Sequence, residues 1–406
     1  MKRQICWLCL VGLGWAQTEW PNSASQANSD PWLVEHAQQL RVMRPRILVL
    51  NFCNDVPRPE VEKKVSKLAH ALDEGSRYHA RTQPQNPAFL QHQIVAIVDL
   101  TDSNPSQGRT DGNSSWLPLK ELKDNGHRDL DTSQYYSARF AQKFGFRKPG
   151  GGFYKLDELI DRGKVHELWC VTSDHTRDID QMPECMEVKQ VYDEQFRPIA
   201  GKWVQAGNGD NRWQPWTGRS FRILDFNAGR GPGCAMESLS HAIEGTARSR
   251  AIPYFTKYFF RFAGFDLDKR FSVPFDSLYA GIKDPVVYPD KDTAVVRRDG
   301  RDYRIHPYVC AGGNVHFCPN AHSHYDLKSQ DRVMSTVEHF AMRDGPGGSD
   351  RAELWSLEML SSTRELLDDC MGPWLVYWRQ NFPGWRNRAL DDDGQPMRNW
   401  WPFLYF

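Results

Sequence analysis

The sequence predicts an α/β fold: a mainly parallel sheet flanked by helices, with an irregular, loop-rich and aromatic C-terminal region. Three observations predict it. Four short apolar runs, at 44–52, 92–102, 165–175 and 219–233, have the length and continuous hydrophobicity of strands buried on both faces. Helical periodicities separate several of them, as crossovers between parallel strands require. Each run ends in a polar stretch, three of the four broken by Gly or Pro: "NFCNDVP", "DLTDSNP", "VTSDHT" and "DFNAGRGPG". Sheets of this class bind ligands beyond the carboxyl ends of their strands, so a site is expected there.

The elements follow in order. Residues 1–16 place basic "MKRQ" before the apolar run "ICWLCLVGLGWA", with small Gly14 and Ala16 at the cleavage positions. That is the pattern of a secretory signal, and it predicts a secreted or periplasmic protein. Residues 17–31 form a polar leader, residues 32–290 the α/β core domain, and residues 291–406 a hairpin, a His-rich loop and an aromatic tail packed on that core. In the segment after the first strand, Val61, Val65, Leu68, Ala69 and Leu72 recur at helical spacing, and Gly75 ends the helix. Further helices are expected at 133–145 and 155–164, and the run 329–343 also reads as helical. "TAVVRRDGRDYRI" reads as a hairpin turning at Asp299-Gly300. No segment after the signal is long and apolar enough to span a bilayer.

Composition narrows the function classes. Lys plus Arg and Asp plus Glu both number 51, so the chain lacks the basic surplus that a dedicated nucleic-acid binder needs to displace counterions. Without the signal, Cys53, Cys170, Cys185, Cys234, Cys310, Cys318 and Cys370 remain, an odd set that leaves at least one unpaired within the chain. Export makes disulfides expected, and Cys310 with Cys318 is the most plausible local bridge. No CxxC spacing occurs, which argues against a finger-type zinc site. Asn113 heads a glycosylation-type triplet.

The chemistry concentrates in two places. In "GCAMESLSHAIEG", Glu237, His241 and Glu244 fall within roughly a 60° arc of one helix, opposite Ala235, Leu239, Ala242 and Ile243. The ordinary reading is a solvated face on which Glu237 pairs with His241 and Glu244 with Arg248. The sharper reading is a metal site, with the H-x-x-E pair His241 and Glu244 facing one divalent ion. A third ligand must then come from elsewhere, and "NVHFCPNAHSHYD" offers His316, His322, His324 and Asp326. His316, between an apolar residue and Phe317, is the one expected to point inward. Asp174, His175 and Asp225 lie at strand ends and, with Asn320 and His324, are candidate substrate-binding residues. "NAGRGPG" lacks the Lys-Ser/Thr of a P-loop and reads as a tight turn.

The blocks "RILVLNF", "VHELWCV", "MESLSHAIE", "GGNVHFCPN" followed by "YD", and "NWWPF" resemble, in this order, a family of uncharacterised secreted bacterial proteins. The family's helix block is similar to E-S-x-G-H-R-x-E. Here Glu237, His241 and Glu244 match it, while Ser240 and Ala242 stand where Gly and Arg would. The resemblance implies no activity. It does imply that Glu237, His241, Glu244, His316 and Asn320 share one site.

Together these readings predict a secreted hydrolase acting on an extracellular polymer or its fragments. Zinc or another divalent metal would be held by His241, Glu244 and His316, with Glu237 as general base or as a partner orienting His241. Two alternatives stand beside it: a metal-independent glycoside hydrolase using paired carboxylates, and a non-catalytic secreted protein that holds glycan on Trp-rich surface.

Overall fold

The computed structural model describes residues 18–25, 31–104, 111–122, 128–173, 184–281, 284–343 and 348–406. The expected signal at 1–16 lies outside them. Six strands build the central sheet: β1 (Arg46–Asn51), β2 (Gln93–Asp99), β3 (Glu167–Thr172), β4 (Cys185–Tyr192), β5 (Pro198–Gly207) and β6 (Phe221–Asn227). Their order across the sheet is β2-β1-β3-β6-β4-β5. The four strands read from apolar runs are mutually parallel, but β4 runs antiparallel to β6 and β5 antiparallel to β4. The sheet is therefore mixed, which corrects the expectation of a mainly parallel one. The reason is visible in β5, most of whose residues are exposed or half-buried. An edge strand of that kind carries no apolar run to betray it. β2 is also half-exposed rather than buried, as an edge position dictates.

Alternation along the strands divides the molecule into layers. Ile47, Val49, Trp169, Val171, Leu224 and Phe226 face one apolar core. Leu48, Leu50, Leu168, Cys170, Ile223 and Met186 face the other. The first core is covered by α1 (Arg58–Gly75), α4 (Pro232–Arg248), α5 (Pro253–Ala263) and α6 (Gly372–Gln380), the second by the short α2 (Ala138–Phe144) and α3 (Leu156–Asp161). In α1 the residues named from periodicity, Val61, Val65, Leu68, Ala69 and Leu72, are the buried ones. The first core also takes in Trp374, Trp378, Trp400, Trp401, Phe403 and the terminal Phe406, so the aromatic tail packs on the same interior as the α/β layers.

Two local readings meet different outcomes. The hairpin β7 (Val287–Asp290), β8 (Thr293–Arg298) and β9 (Arg301–Ile305) turns at Asp299 and Gly300, whose φ angles of 52° and 76° are those of a type I′ turn. The run 329–343 is not the expected helix. Val333–Ser335 pairs as a strand with Glu353–Trp355, and Val337–His339 is a single 3-10 turn. Tertiary pairing with a distant strand overrides the local period.

The cysteines also correct the sequence reading. Cys310 and Cys318 are free and buried, as are Cys53, Cys170 and Cys185. The disulfide joins Cys234 in the first turn of α4 to Cys370, 136 residues on and just before α6. Beside it, Asp369 accepts the Gly233 N–H at 2.9 Å, an anion set at the positive end of α4. A Cβ at Gly231 or Gly233 would fall 2.1–2.2 Å from Asp369 atoms, so these glycines admit the acid. Cys370→Ser should cost about 2–5 kcal/mol. Chemical unfolding with and without a reductant checks this: reductant should lower the wild-type midpoint and leave the variant's unchanged.

Candidate metal centre

β6 ends at Asn227, and one tight turn later α4 begins, so the first turns of α4 stand at the carboxyl end of the parallel strands. β4 starts at the same edge. Its preceding residue, Glu184, accepts the Asp225 N–H through its carbonyl at 2.6 Å. The stripe of α4 is not a solvated face: Glu237 and Glu244 are only 8% and 5% exposed. Arg248 does not reach Glu244 and instead pairs with Asp276 at 3.2 Å. What covers the stripe is the loop that carries His316.

Three ligand atoms converge there. His241 Nε2 and His316 Nε2 lie 2.9 Å apart, His316 Nε2 lies 3.0 Å from Glu237 Oε1, and His241 Nε2 lies 3.9 Å from the same oxygen. With metal–nitrogen bonds of about 2.0–2.1 Å and tetrahedral angles, the edges of a coordination polyhedron come to roughly 3.3 Å. The observed distances bracket that value, so Glu237, His241 and His316 could hold a metal ion. Glu237 Oε2, in addition, is buried with no hydrogen-bond partner among the described residues. A buried, unpaired carboxylate oxygen is costly unless something positive answers it.

Glu244 takes a different place from the one expected. Its Oε2 lies 2.9 Å from His241 Nδ1, and its Oε1 accepts the Val315 N–H at 2.9 Å and the Tyr279 hydroxyl at 3.2 Å. With both oxygens engaged, it turns away from the Nε2 pair. By bonding Nδ1 it leaves the His241 Nε2 lone pair aimed at the ligand point. On the far side, His316 Nδ1 lies 2.7 Å from His324 Nδ1. The contacts thus form a chain: Glu244, His241, His316, His324.

The electrostatics agree with a positive charge at this point. Burial works against an imidazolium at His241, yet Glu244, then Glu237 and Glu184, outweigh it and raise its pKa. Burial works against the Glu237 carboxylate as well, but hydrogen bonds from His316 and Tyr325 outweigh that and lower its pKa. Burial and the two neighbouring imidazoles push His324 down to about 4 and keep it neutral.

Other sequence-named residues fall at varying distances from this centre. Asn320 is fully buried and binds the Asp331 carbonyl at 2.7 Å, so it braces its own loop. His322 bonds the Val286 carbonyl at 2.6 Å and Asp331 at 3.0 Å, away from the other imidazoles. Asp174 and His175 lie outside the described residues. Asn113 is wholly buried, its side chain accepting the Ser173 N–H at 2.7 Å, and offers no acceptor for a glycan. Asp225 lines a small hollow with Glu184, Arg230 and Ser238 beside the centre.

Three residues were missed. Tyr325 donates to Glu237 Oε1 at 2.8 Å, is 52% exposed, and holds a left-handed φ of 62°, rare for an aromatic residue. Tyr279 anchors Glu244. Glu184 sits within electrostatic reach of His241, Glu237 and His316, and burial raises its pKa. Tyr325 could have been found, because it follows His324 directly. Glu184 carried no signal, since the antiparallel strand it precedes was itself unread.

Asp225 yields a pH prediction. Desolvation first, then the charge of Glu184, pushes its carboxyl from 3.8 up to about 7, against a hydrogen bond from Thr172. The folded state therefore binds this proton more tightly than the unfolded chain. Stability from this group is complete below pH 3.8 and is lost as pH rises through about 7. Asp225→Asn should flatten that slope, leaving the variant more stable than the parent at pH 8 by an amount on the order of a few kcal/mol. Urea midpoints at pH 4, 6 and 8 check it.

Comparison with known proteins finds no matching family model, no matching curated protein and no matching solved structure.

Proposed function

We propose that the protein is an exported hydrolase dependent on a divalent metal, with zinc the best fit to the donor set, acting on an extracellular polymer or its fragments. The observation that carries the reading is the meeting of Glu237, His241 and His316 at one buried point, with Glu237 Oε2 left unpaired. Two imidazoles and one carboxylate leave positions open for water and substrate, the arrangement of catalytic rather than structural zinc. An ion bound there would supply Lewis acidity. The chain's own residues do the rest. Glu244 orients His241. Glu184, with its pKa raised by burial, takes the general-base role that Glu237 gives up by serving as ligand. Tyr325 can turn its hydroxyl from Glu237 toward negative charge developing on the substrate. The disulfide, and the absence of any membrane-length apolar helix among the described residues, are compatible with export. The Trp-rich surface of a glycan-binding module finds little support: Trp20, Trp169, Trp355, Trp374, Trp378, Trp400 and Trp401 are buried, and among the described residues Trp203 is the one conspicuously exposed Trp.

Elemental analysis of the purified protein tests the reading. The expected result is about one zinc or other divalent ion per chain, absent from a His316→Ala variant that keeps its circular dichroism spectrum. A folded chain that takes up no divalent ion on dialysis against zinc would sink it.

A further inference from the structure

The chain leaving Tyr325 forms one wall of a groove that the metal centre does not use. Ser329 and Arg332 face Ser356, Ser361 and Arg364 across a hollow of about 360 Å³. An adjoining hollow of about 330 Å³ shares Arg332, Ser356, Glu358 and Ser361 and ends at Arg81, so an anion entering here must draw Arg332 away from the Glu358 carboxylate. Hollows of this size are in the range of ligand sites, about 300–1,000 Å³. Arg81 is held by Glu338. Arg332 reaches Glu358 only at 3.4 Å, with side chains 58% and 80% exposed, a pairing that is worth little and easily exchanged. Arg364 has no ion-pair partner among the described residues.

We propose that this double groove binds a short anionic oligosaccharide, bearing carboxylate or sulfate groups. Arg332 and Arg364 match the planar, bidentate demand of such groups. The serine hydroxyls can exchange hydrogen bonds with sugar hydroxyls, while Leu327, Leu354 and Leu357 offer apolar floor to ring faces. The wall at 357–364 is a 3-10 turn followed by a helical turn, while the short strand Glu353–Trp355 reaches the second hollow through Leu354, so a peptide is the competing occupant that the test must separate. Binding stands on the groove alone. That the bound chain is also the substrate of the metal centre rests on the hydrolase reading.

Titration calorimetry on the full chain tests this, with oligogalacturonate, a heparin-derived oligosaccharide, a neutral malto-oligosaccharide and polyglutamate. At least one anionic sugar should bind, more weakly as salt rises, and at least about 10-fold more tightly than the neutral one. The double variant R332A/R364A, with an unchanged melting curve, should bind it at least about 10-fold more weakly. Preference for galacturonate assigns carboxylate recognition, and preference for the heparin fragment assigns sulfate. Failure of both to bind, indifference to the double variant, or equal affinity for polyglutamate overturns the proposal. His316→Ala should bind sugar as well as the parent does. Loss of sugar binding in that variant would also overturn the groove, whereas a parent chain that takes up no divalent ion yet still binds sugar would remove only the hydrolase reading.

Discussion

If the proposed site takes up zinc, Glu237→Gln should weaken its binding far more than Glu244→Gln does. Four-ligand zinc sites bind with about 10–16 kcal/mol, so one ligand is worth roughly 3–4 kcal/mol, and its loss lowers affinity by roughly 100- to 1,000-fold. Glu237 faces the two Nε2 atoms with Oε1, and glutamine there removes the charge at that point. Among the described residues, Glu244 bonds Nδ1 of His241, the Val315 N–H and the Tyr279 hydroxyl rather than the Nε2 pair. Glutamine at 244 keeps the ligand set and loosens its orientation, a change worth about 10- to 100-fold. His241→Ala should match Glu237→Gln. Competition titration against a zinc chelator at fixed pH measures all three. The reverse order, with Glu244→Gln the more damaging, would restore the ligand set read from the H-x-x-E pair and remove the one drawn from the structure.

That swap shows what a helical stripe can and cannot tell. Spacing alone put Glu237, His241 and Glu244 on one face, and the structure keeps them there. Which acid faces the two imidazole Nε2 atoms depends on what approaches from outside the helix. The Val315 N–H and the Tyr279 hydroxyl claim Glu244, and their positions follow from chain folding rather than from any local period. The meeting of His316 with His241 was read correctly because apolar neighbours implied burial. His322, equally near in sequence, turns instead to the Val286 carbonyl. The same limit explains the fold. Strands buried on both faces announce themselves as apolar runs, so β1, β3 and β6 were plain. β4 and β5 were not: β4 mixes Glu187, Lys189 and Gln190 with its apolar residues, and β5 is mostly exposed. Nor could spacing find the Cys234–Cys370 bridge, since it spans 136 residues and depends on α4 and α6 packing side by side.

Arg222→Met should destabilise the fold by at least about 3–5 kcal/mol, the cost of breaking a buried ion pair from one side. Arg222 on β6 lies in register between Glu167 of β3 and Glu187 of β4, on the same face of the sheet. Its Nη2 is 2.9 Å from Glu187 and its Nη1 is 3.6 Å from Glu167, and the two acids are 1–2% exposed. Glu167 also accepts the Trp169 indole N–H at 2.9 Å and the Tyr405 hydroxyl at 2.8 Å, which ties the C-terminal tail to the middle of the sheet. Methionine at 222 would fill the volume but leave Glu187 to Lys189 at 3.4 Å and Glu167 to the more distant charges of His92 and Arg379. Lys189→Met should act in the opposite sense. Burial pulls the Lys189 amine down to about 8, so at neutral pH the folded state carries a desolvated ammonium whose cost the Glu187 pairing only partly offsets. Because the folded state holds that proton less tightly than the unfolded chain, stability rises with pH from about 8 to 10.5. Lys189→Met should remove this rise and be neutral or stabilising at pH 7, since Glu187 keeps Arg222. Urea unfolding of both variants at pH 7 and pH 9.5 separates the two effects. If Lys189→Met proves as damaging as Arg222→Met, the lysine rather than the arginine neutralises the acids, and the ladder must be read from the β4 side.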